Sequence, residues 1–270
     1  MKNNKISILG CGWLGLSLAK HLLKIGHHVK GSTTTQSKLK VLEYEGIYSF
    51  LIQLEENKIE GNISDFLDKS DTLIINIPPG LRKNPNKNHV AEIEQLILQI
   101  EKSSIENVLF VSSTSVFKNE VSFPLIASEV KPNATSNSAK QLIEIENLLQ
   151  NNSNFKTTIL RFSGLFGDER HPGKFLSGQD NVSNPDAPIN LIHRQDCVQI
   201  ISKIIQNHHW NITLNATFPK HPSKETFYVD YCKTHDLPLP TFNHSIPSKG
   251  KIIDGSYLAQ LLTYEYELSL

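Results

Sequence analysis

Three glycines near the start of the chain carry the clearest chemistry in this sequence. Residues 6–15 read Ile-Ser-Ile-Leu-Gly-Cys-Gly-Trp-Leu-Gly, so Gly10, Gly12 and Gly15 stand in Gly-x-Gly-x-x-Gly spacing. An apolar run precedes them, and Leu14, Leu16, Leu18, Leu22 and Leu23 open a helical pattern after them. Strand, glycine turn and helix in that order make a cradle for the pyrophosphate of a dinucleotide. Gly10 permits the tight turn, Gly12 admits a phosphate close to the backbone, and Gly15 lets the helix lie against the strand. The free N–H groups at Trp13 and Leu14, with the positive end of the helix dipole, face the phosphates. Cys11 sits at that helix start, where a thiol pKa can fall; it reads as a small residue tolerated beside the ligand.

The next polar cluster bears on which dinucleotide. A second strand, 28–31, runs into Ser32-Thr33-Thr34-Thr35-Gln36-Ser37-Lys38. A carboxylate at this place would hold a ribose 2′-hydroxyl and reject a 2′-phosphate. None is present, and the hydroxyls of Ser32, Thr33 and Thr34 with the ammonium of Lys38 suit a phosphate. NADP is therefore preferred to NAD. The same hydroxyls also fit an N-cap cluster for a helix over 37–45. A stronger strand, 71–77, ends in Ile77-Pro78-Pro79. Ligands lie beyond the carboxyl ends of strands in such folds, so these three residues border the cofactor unless they only stop the strand.

Composition bounds the rest. The chain has 270 residues, 39% of them hydrophobic, and a formal net charge of zero. The neutral balance gives no electrostatic hold on nucleic acid or an anionic membrane. No apolar run reaches the roughly 18 residues of a membrane span, and no apolar leader opens the chain, so a cytoplasmic protein is expected. Cys11, Cys197 and Cys232 are scattered without Cys-x-x-Cys spacing, and the His27-His28 and His208-His209 pairs are adjacent rather than four apart. No disulfide framework and no metal site are expected.

The remaining elements must position these groups. Strands are expected at 46–52, 107–111, 157–160 and 213–217, and helices at 90–103, 137–150, 196–206 and 223–235, with Asp196 as an N-cap. Residues 118–136 read as loop. Alternation of strand and helix to about residue 160 predicts an α/β fold: a Rossmann-like, doubly wound parallel sheet. Residues 1–161 form the dinucleotide-binding part. Residues 162–270, punctuated by Gly164, Gly167, Pro172, Gly173, Gly178, Pro185 and Pro188, complete the sheet and form a smaller substrate lobe.

Several segments then match one family in order. Gly10–Gly15, Gly31-Ser32-Thr33-Thr34, Val111-Ser112-Ser113-Thr114-Ser115-Val116-Phe117, Lys140, Leu160-Arg161-Phe162-Ser163-Gly164-Leu165-Phe166-Gly167, Ile192-His193-Arg194-Gln195-Asp196 and the final 250–262 span nearly the whole chain. The chain resembles the extended short-chain dehydrogenase/reductase superfamily, in its nucleotide-sugar epimerase/dehydratase branch. It is similar in particular to the atypical subgroup opening Gly-Cys-Gly-Trp-Leu-Gly.

The resemblance implies an NAD(P)-dependent oxidoreductase or epimerase/dehydratase-like enzyme. Its substrate would be a small molecule, a sugar nucleotide or another polar carbonyl or alcohol. It implies cofactor contacts from Ser112, Lys140, Phe162, Ser163 and Gly164, and substrate contacts from Ser113, Thr114, His193 and Arg194. The Arg194 fork suits an anionic group, although His193-Arg194 also reads as a turn before a helix. The resemblance further implies a homodimer through helices 90–103 and 137–150.

The catalytic set departs from the pattern. Ser113 takes the Ser/Thr position and Lys140 the Lys position, but Ser136 stands where the family has Tyr. A phenol titrates near 10 and can be drawn toward neutrality by a lysine; a serine hydroxyl is a far weaker acid and is shorter. General acid–base help is worth about 10²–10⁴ in rate. A non-catalytic NAD(P)-binding sensor is therefore the alternative expectation. Tyr228, Tyr231 and Tyr257 lie in the C-terminal part, where sequence does not place them relative to the site.

Overall fold

Alternation along the first strand divides the molecule into two faces. In a computed structural model, which describes residues 4–167 and 170–266, β1 (Lys5–Leu9) sends Ile6 and Ile8 into one apolar cluster and Leu9 into another. Successive side chains of a strand point to opposite faces, so a strand covered on both sides is apolar throughout. The same split recurs in β6 (Thr72–Ile75), where Leu73 and Ile75 oppose Ile74, and in β7 (Asn107–Ser113), where Val108 and Phe110 oppose Leu109.

These strands belong to one seven-stranded sheet in the order β12-β9-β7-β6-β1-β2-β3, parallel at every pairing. The others are β2 (His28–Thr33), β3 (Tyr48–Leu51), β9 (Lys156–Phe162) and β12 (Thr213–Ala216). One face is covered by α1 (Trp13–Lys24), α2 (Leu39–Tyr44), α6 (Arg194–Gln206) and α8 (Ser256–Leu262). The other is covered by α3 (Ile63–Leu67), α4 (His89–Ile100) and α5 (Asn137–Gln150). The expected doubly wound α/β sheet is the observed fold.

Shorter elements escaped the sequence pattern. β4 (Gln53–Leu54) pairs antiparallel with β5 (Ile59–Glu60). The segment read as loop over 118–136 contains β8 (Leu125–Ile126), which pairs with β13 (Ile252–Ile253). β10 (Gly164–Phe166) and β11 (Leu191–His193) form a parallel pair, and α7 (Lys224–Thr234) packs on the 172–176 turn. Two-residue strands carry too little alternation to be read from sequence. Residues past 162 supply β12 and α6 to the sheet and its core, as well as these outer segments. Among the described residues no helix is long and apolar enough to cross a membrane.

A buried ion pair fastens α5 to the sheet. Arg161 and Glu146 are 4% and 2% exposed. The guanidinium donates through Nε at 3.0 and 3.1 Å and through Nη2 at 2.7 Å. The Ser112 hydroxyl donates to the same carboxylate at 2.6 Å, and the guanidinium also lies over the Phe117 ring. Removing one member of such a pair strands a buried charge, which costs far more than replacing both. Glu146→Leu is expected to lower the unfolding free energy by about 3–5 kcal/mol. The Arg161→Met, Glu146→Leu double variant is expected to recover much of that loss in urea denaturation.

Candidate functional site

The turn after β1 is tied from both neighbouring strands. Gly10 N–H donates to Ser32 Oγ at 3.0 Å, Cys11 N–H to the Ser32 carbonyl at 2.8 Å, and the Asn76 amide to the Gly10 carbonyl at 2.9 Å. Gly10 adopts φ +102°, a conformation that side chains other than glycine disfavour. Gly15 packs so tightly that a Cβ there would stand 2.2 Å from the Gly10 carbonyl oxygen. At Gly12, by contrast, a Cβ would meet nothing within 4 Å. Two glycines are thus required by the protein's own packing. The third faces open space at the start of α1, whose N-cap it forms without a side-chain hydrogen bond.

That space belongs to a cleft of about 660 Å³ beyond the carboxyl ends of β1, β2 and β6. Gly10 and Gly12 line it on one side; Ser32, Thr33, Thr34, Thr35 and Lys38 line the second-strand rim; Ile77 and Pro78 close a third. Eight of the residues singled out from sequence are therefore brought together. The 3₁₀ turn 36–38 and α2 each begin without a side-chain cap hydrogen bond, so the hydroxyl cluster does not serve as an N-cap. Thr34, Thr35 and Lys38 are exposed on the rim.

Other residues expected at the cofactor stand elsewhere. Leu14 and Gly15 are buried beneath the turn, and Pro79 does not line the cleft. Trp13 lies outside it, against Gly167, with the Arg170 and Arg194 guanidiniums 5.0 and 4.7 Å from its ring. Ser112 uses its hydroxyl on Glu146, and the Phe162 side chain is in the core. Cys11 lines the cleft as a buried small residue, and desolvation outweighs the Ser32 backbone hydrogen bond and pushes its thiol up to about 12.

The expected catalytic groups gather at the ends of β7 and β9 and the start of α5, outside the cleft's lining. Ser113 Oγ accepts from Ser115 N–H at 3.1 Å, and Thr114 is buried in the turn that follows. Ser136 is the N-cap of α5, its Oγ accepting from Ala139 N–H at 3.3 Å, and Lys140 is exposed four residues on. Ser163 is buried with no hydrogen-bond partner for its Oγ, beside the exposed Gly164. His193 rather than Asp196 caps α6: its Nδ1 accepts from Gln195 N–H, whereas Asp196 is buried and accepts from Tyr264 Oη at 2.6 Å. Tyr257 is exposed, and Tyr228 and Tyr231 are half-buried on α7.

Several lining residues carried no sequence signal of their own. Gln53 and Leu54 form β4 and Asn76 directly follows β6, and all three line the cleft. On its outer side Glu92 is 4% exposed and accepts from His89 Nδ1 at 2.7 Å and from Lys87 Nζ at 2.9 Å. Burial disfavours its charge, but hydrogen bonds from His89 and Lys87 outweigh that and hold the carboxyl below its ordinary range. Only the period of α4, which brings residues three apart together, could have marked this pair.

The different surroundings of Gly12 and Gly15 give a direct contrast. Gly12→Ala is expected to cost the free protein no more than the loss of a favourable N-cap residue, about 1 kcal/mol, because nothing lies within 4 Å of the added Cβ. Gly15→Val, forced against the Gly10 carbonyl, is expected to destabilise by about 1–3 kcal/mol or more. Thermal and urea unfolding of the two variants measure this.

No family model matches the chain. Solved structures share its fold over almost the full length. A short-chain dehydrogenase/reductase superfamily protein from Agrobacterium tumefaciens with bound NAD superposes with a TM-score of 0.79 at 14% identity, covering 98% of this chain and 93% of that one. UDP-glucuronic acid 4-epimerase from Bacillus cereus, in complex with NAD, gives 0.77 at 17%, covering 98% and 94%. UDP-N-acetylglucosamine 4-epimerase from the same species gives 0.76 at 14%, with the same coverage. These likenesses establish the fold. Among curated proteins, the protein YeeZ of Escherichia coli K12 is 33% identical over 266 residues, covering 97% of this chain and 96% of its own length. The chain belongs to the family of the protein YeeZ.

Proposed function

We propose that the chain is an NADP-binding atypical short-chain dehydrogenase/reductase. In this reading it works as an oxidoreductase or an epimerase/dehydratase-like enzyme on a small polar carbonyl or alcohol, sugar nucleotides included. The observation that carries the reading is the open space at Gly12, in a cleft whose rim bears Thr34, Thr35 and Lys38. The backbone at Gly12 and the start of α1 hold the pyrophosphate, as helix N-termini hold anions generally. Thr34, Thr35 and Lys38 hold a 2′-phosphate, while Ser32 keeps the turn in place through Gly10. A bound nicotinamide supplies or accepts hydride. Ser113, whose Oγ already accepts from Ser115, keeps its own proton for a substrate oxygen. Lys140 contributes a positive charge at the first turns of α5. A homodimer through α4 and α5 is part of the same proposal.

A second reading rests on Ser136. It sits where the related enzymes carry tyrosine, and it is the cap of α5. The sequence has no tyrosine between Tyr48 and Tyr228. A chain that binds the dinucleotide without a strong proton donor fits a sensor that reports cofactor level.

Thermal unfolding with each dinucleotide tests the binding claim. A ligand selective for the folded state adds about 2.7 kcal/mol at a hundred times its dissociation constant. NADP is expected to raise the midpoint more than NAD. Lys38→Ala is expected to weaken NADP about tenfold, the size of one charge-assisted hydrogen bond, and to leave NAD unchanged. A shift with NAD alone overturns the 2′-phosphate assignment. Absence of a shift with either overturns the cofactor assignment.

A further inference from the structure

We propose that the cleft lined by α7, His171 and residues 220–222 is a second ligand site, for a small aromatic zwitterion: a planar ring bearing a carboxylate and an amine. This cleft measures about 990 Å³ and shares no lining residue with the dinucleotide cleft.

Its wall is a ladder of parallel rings. Tyr231 is stacked between His171, at 4.4 Å and 13°, and His235, at 4.0 Å and 19°. The Tyr231 ring also rests on Gly173, where a Cβ would stand 2.2 Å from its Cγ. The ladder is thus fixed in place, and the exposed His235 ring at its end is the face that receives another ring at low ordering cost.

Burial disfavours the charged form of two imidazoles in this wall. His171 Nδ1 accepts from Gly173 N–H, and its pKa is held low by burial and by His235, Lys174 and His193. His221 Nδ1 donates to the Ile189 carbonyl, and burial outweighs that bond and Asp254 to hold its pKa low too. His235 Nδ1 donates to the Tyr231 carbonyl. Lys220 and Asp230 also line the cleft, both exposed, and neither has an ion-pair partner among the described residues. An aromatic wall flanked by one unpaired cation and one unpaired anion complements a ring with one anionic and one cationic substituent. A purely anionic ligand would meet Asp230 and a purely cationic one Lys220, so each is disfavoured by one like charge.

The site stands apart from the dinucleotide reading, and its test separates the two. L-Tryptophan is titrated calorimetrically into the wild-type chain, with indole-3-propionate, which lacks the amine, and tryptamine, which lacks the carboxylate, as comparisons. Saturable binding of L-tryptophan is expected, about tenfold tighter than either comparison. Lys220→Met is expected to weaken L-tryptophan about tenfold and leave tryptamine no weaker; Asp230→Asn is expected to do the same for L-tryptophan and leave indole-3-propionate no weaker. Both residues are exposed, and unchanged unfolding midpoints establish that the variants are folded. Three results overturn the proposal: no saturable binding at millimolar ligand, equal binding by wild type and both variants, or displacement of L-tryptophan by NADP. The NADP titration of the same samples reads the other cleft independently.

Discussion

The close approach of Gly15 to the carbonyl of Gly10 is the constraint on which the site depends. It sets α1 directly onto the turn that follows β1, with the Asn76 amide closing the gap from β6. That contact leaves no room for a side chain, so it fixes the angle at which the helix start is presented. Ser32 completes the arrangement from the other neighbouring strand. The open position at Gly12 exists because its neighbours are immobilised in this way. A cradle for an anion needs backbone N–H groups held in place before the ligand arrives, and here strand pairing and a packed turn hold them.

A second anchor organises the opposite half of the site. The buried Arg161–Glu146 pair joins β9 to α5, and Ser112 adds β7 to the same carboxylate. Lys140 and Ser136 lie at the start of that helix, and Ser113 and Ser163 follow the two strands. The pair does no chemistry of its own. It aligns three elements whose ends carry the candidate hydroxyls and amine, and it does so in a region too dry for an unpaired charge to persist.

Much of this was legible in the sequence, for identifiable reasons. The parallel sheet could be read because its strands are apolar on both faces and alternate with helices of clear period. The helix over 137–150 was legible because its apolar stripe is regular, and the structure shows Ser136 as its cap. The glycine turn was legible because backbone geometry demands glycine at Gly10 and Gly15. Other features depend on contacts between distant segments. That the Ser112 hydroxyl serves Glu146, 34 positions away, is one of them. Cys11 stands at a helix start that can lower a thiol pKa, but its neighbours bury it and burial prevails, in keeping with a small residue that only fills space. The two-residue strands and the packing of His171 on Tyr231 are products of tertiary packing with no local signature, whereas the His89–Glu92 and Tyr231–His235 pairs leave only the three- and four-residue spacing of a helix.

The central claim is that the turn at Gly12 is a dinucleotide cradle. Trp13 and Trp210 are the chain's two tryptophans, and Trp13 adjoins that turn. Titrating NADPH into a Trp210→Phe variant while exciting Trp13 tests the claim directly. The account predicts quenching of Trp13 emission with sensitised nicotinamide emission, saturating at one NADPH per chain. Unchanged Trp13 emission at millimolar NADPH, in a variant that retains its unfolding midpoint, would contradict it.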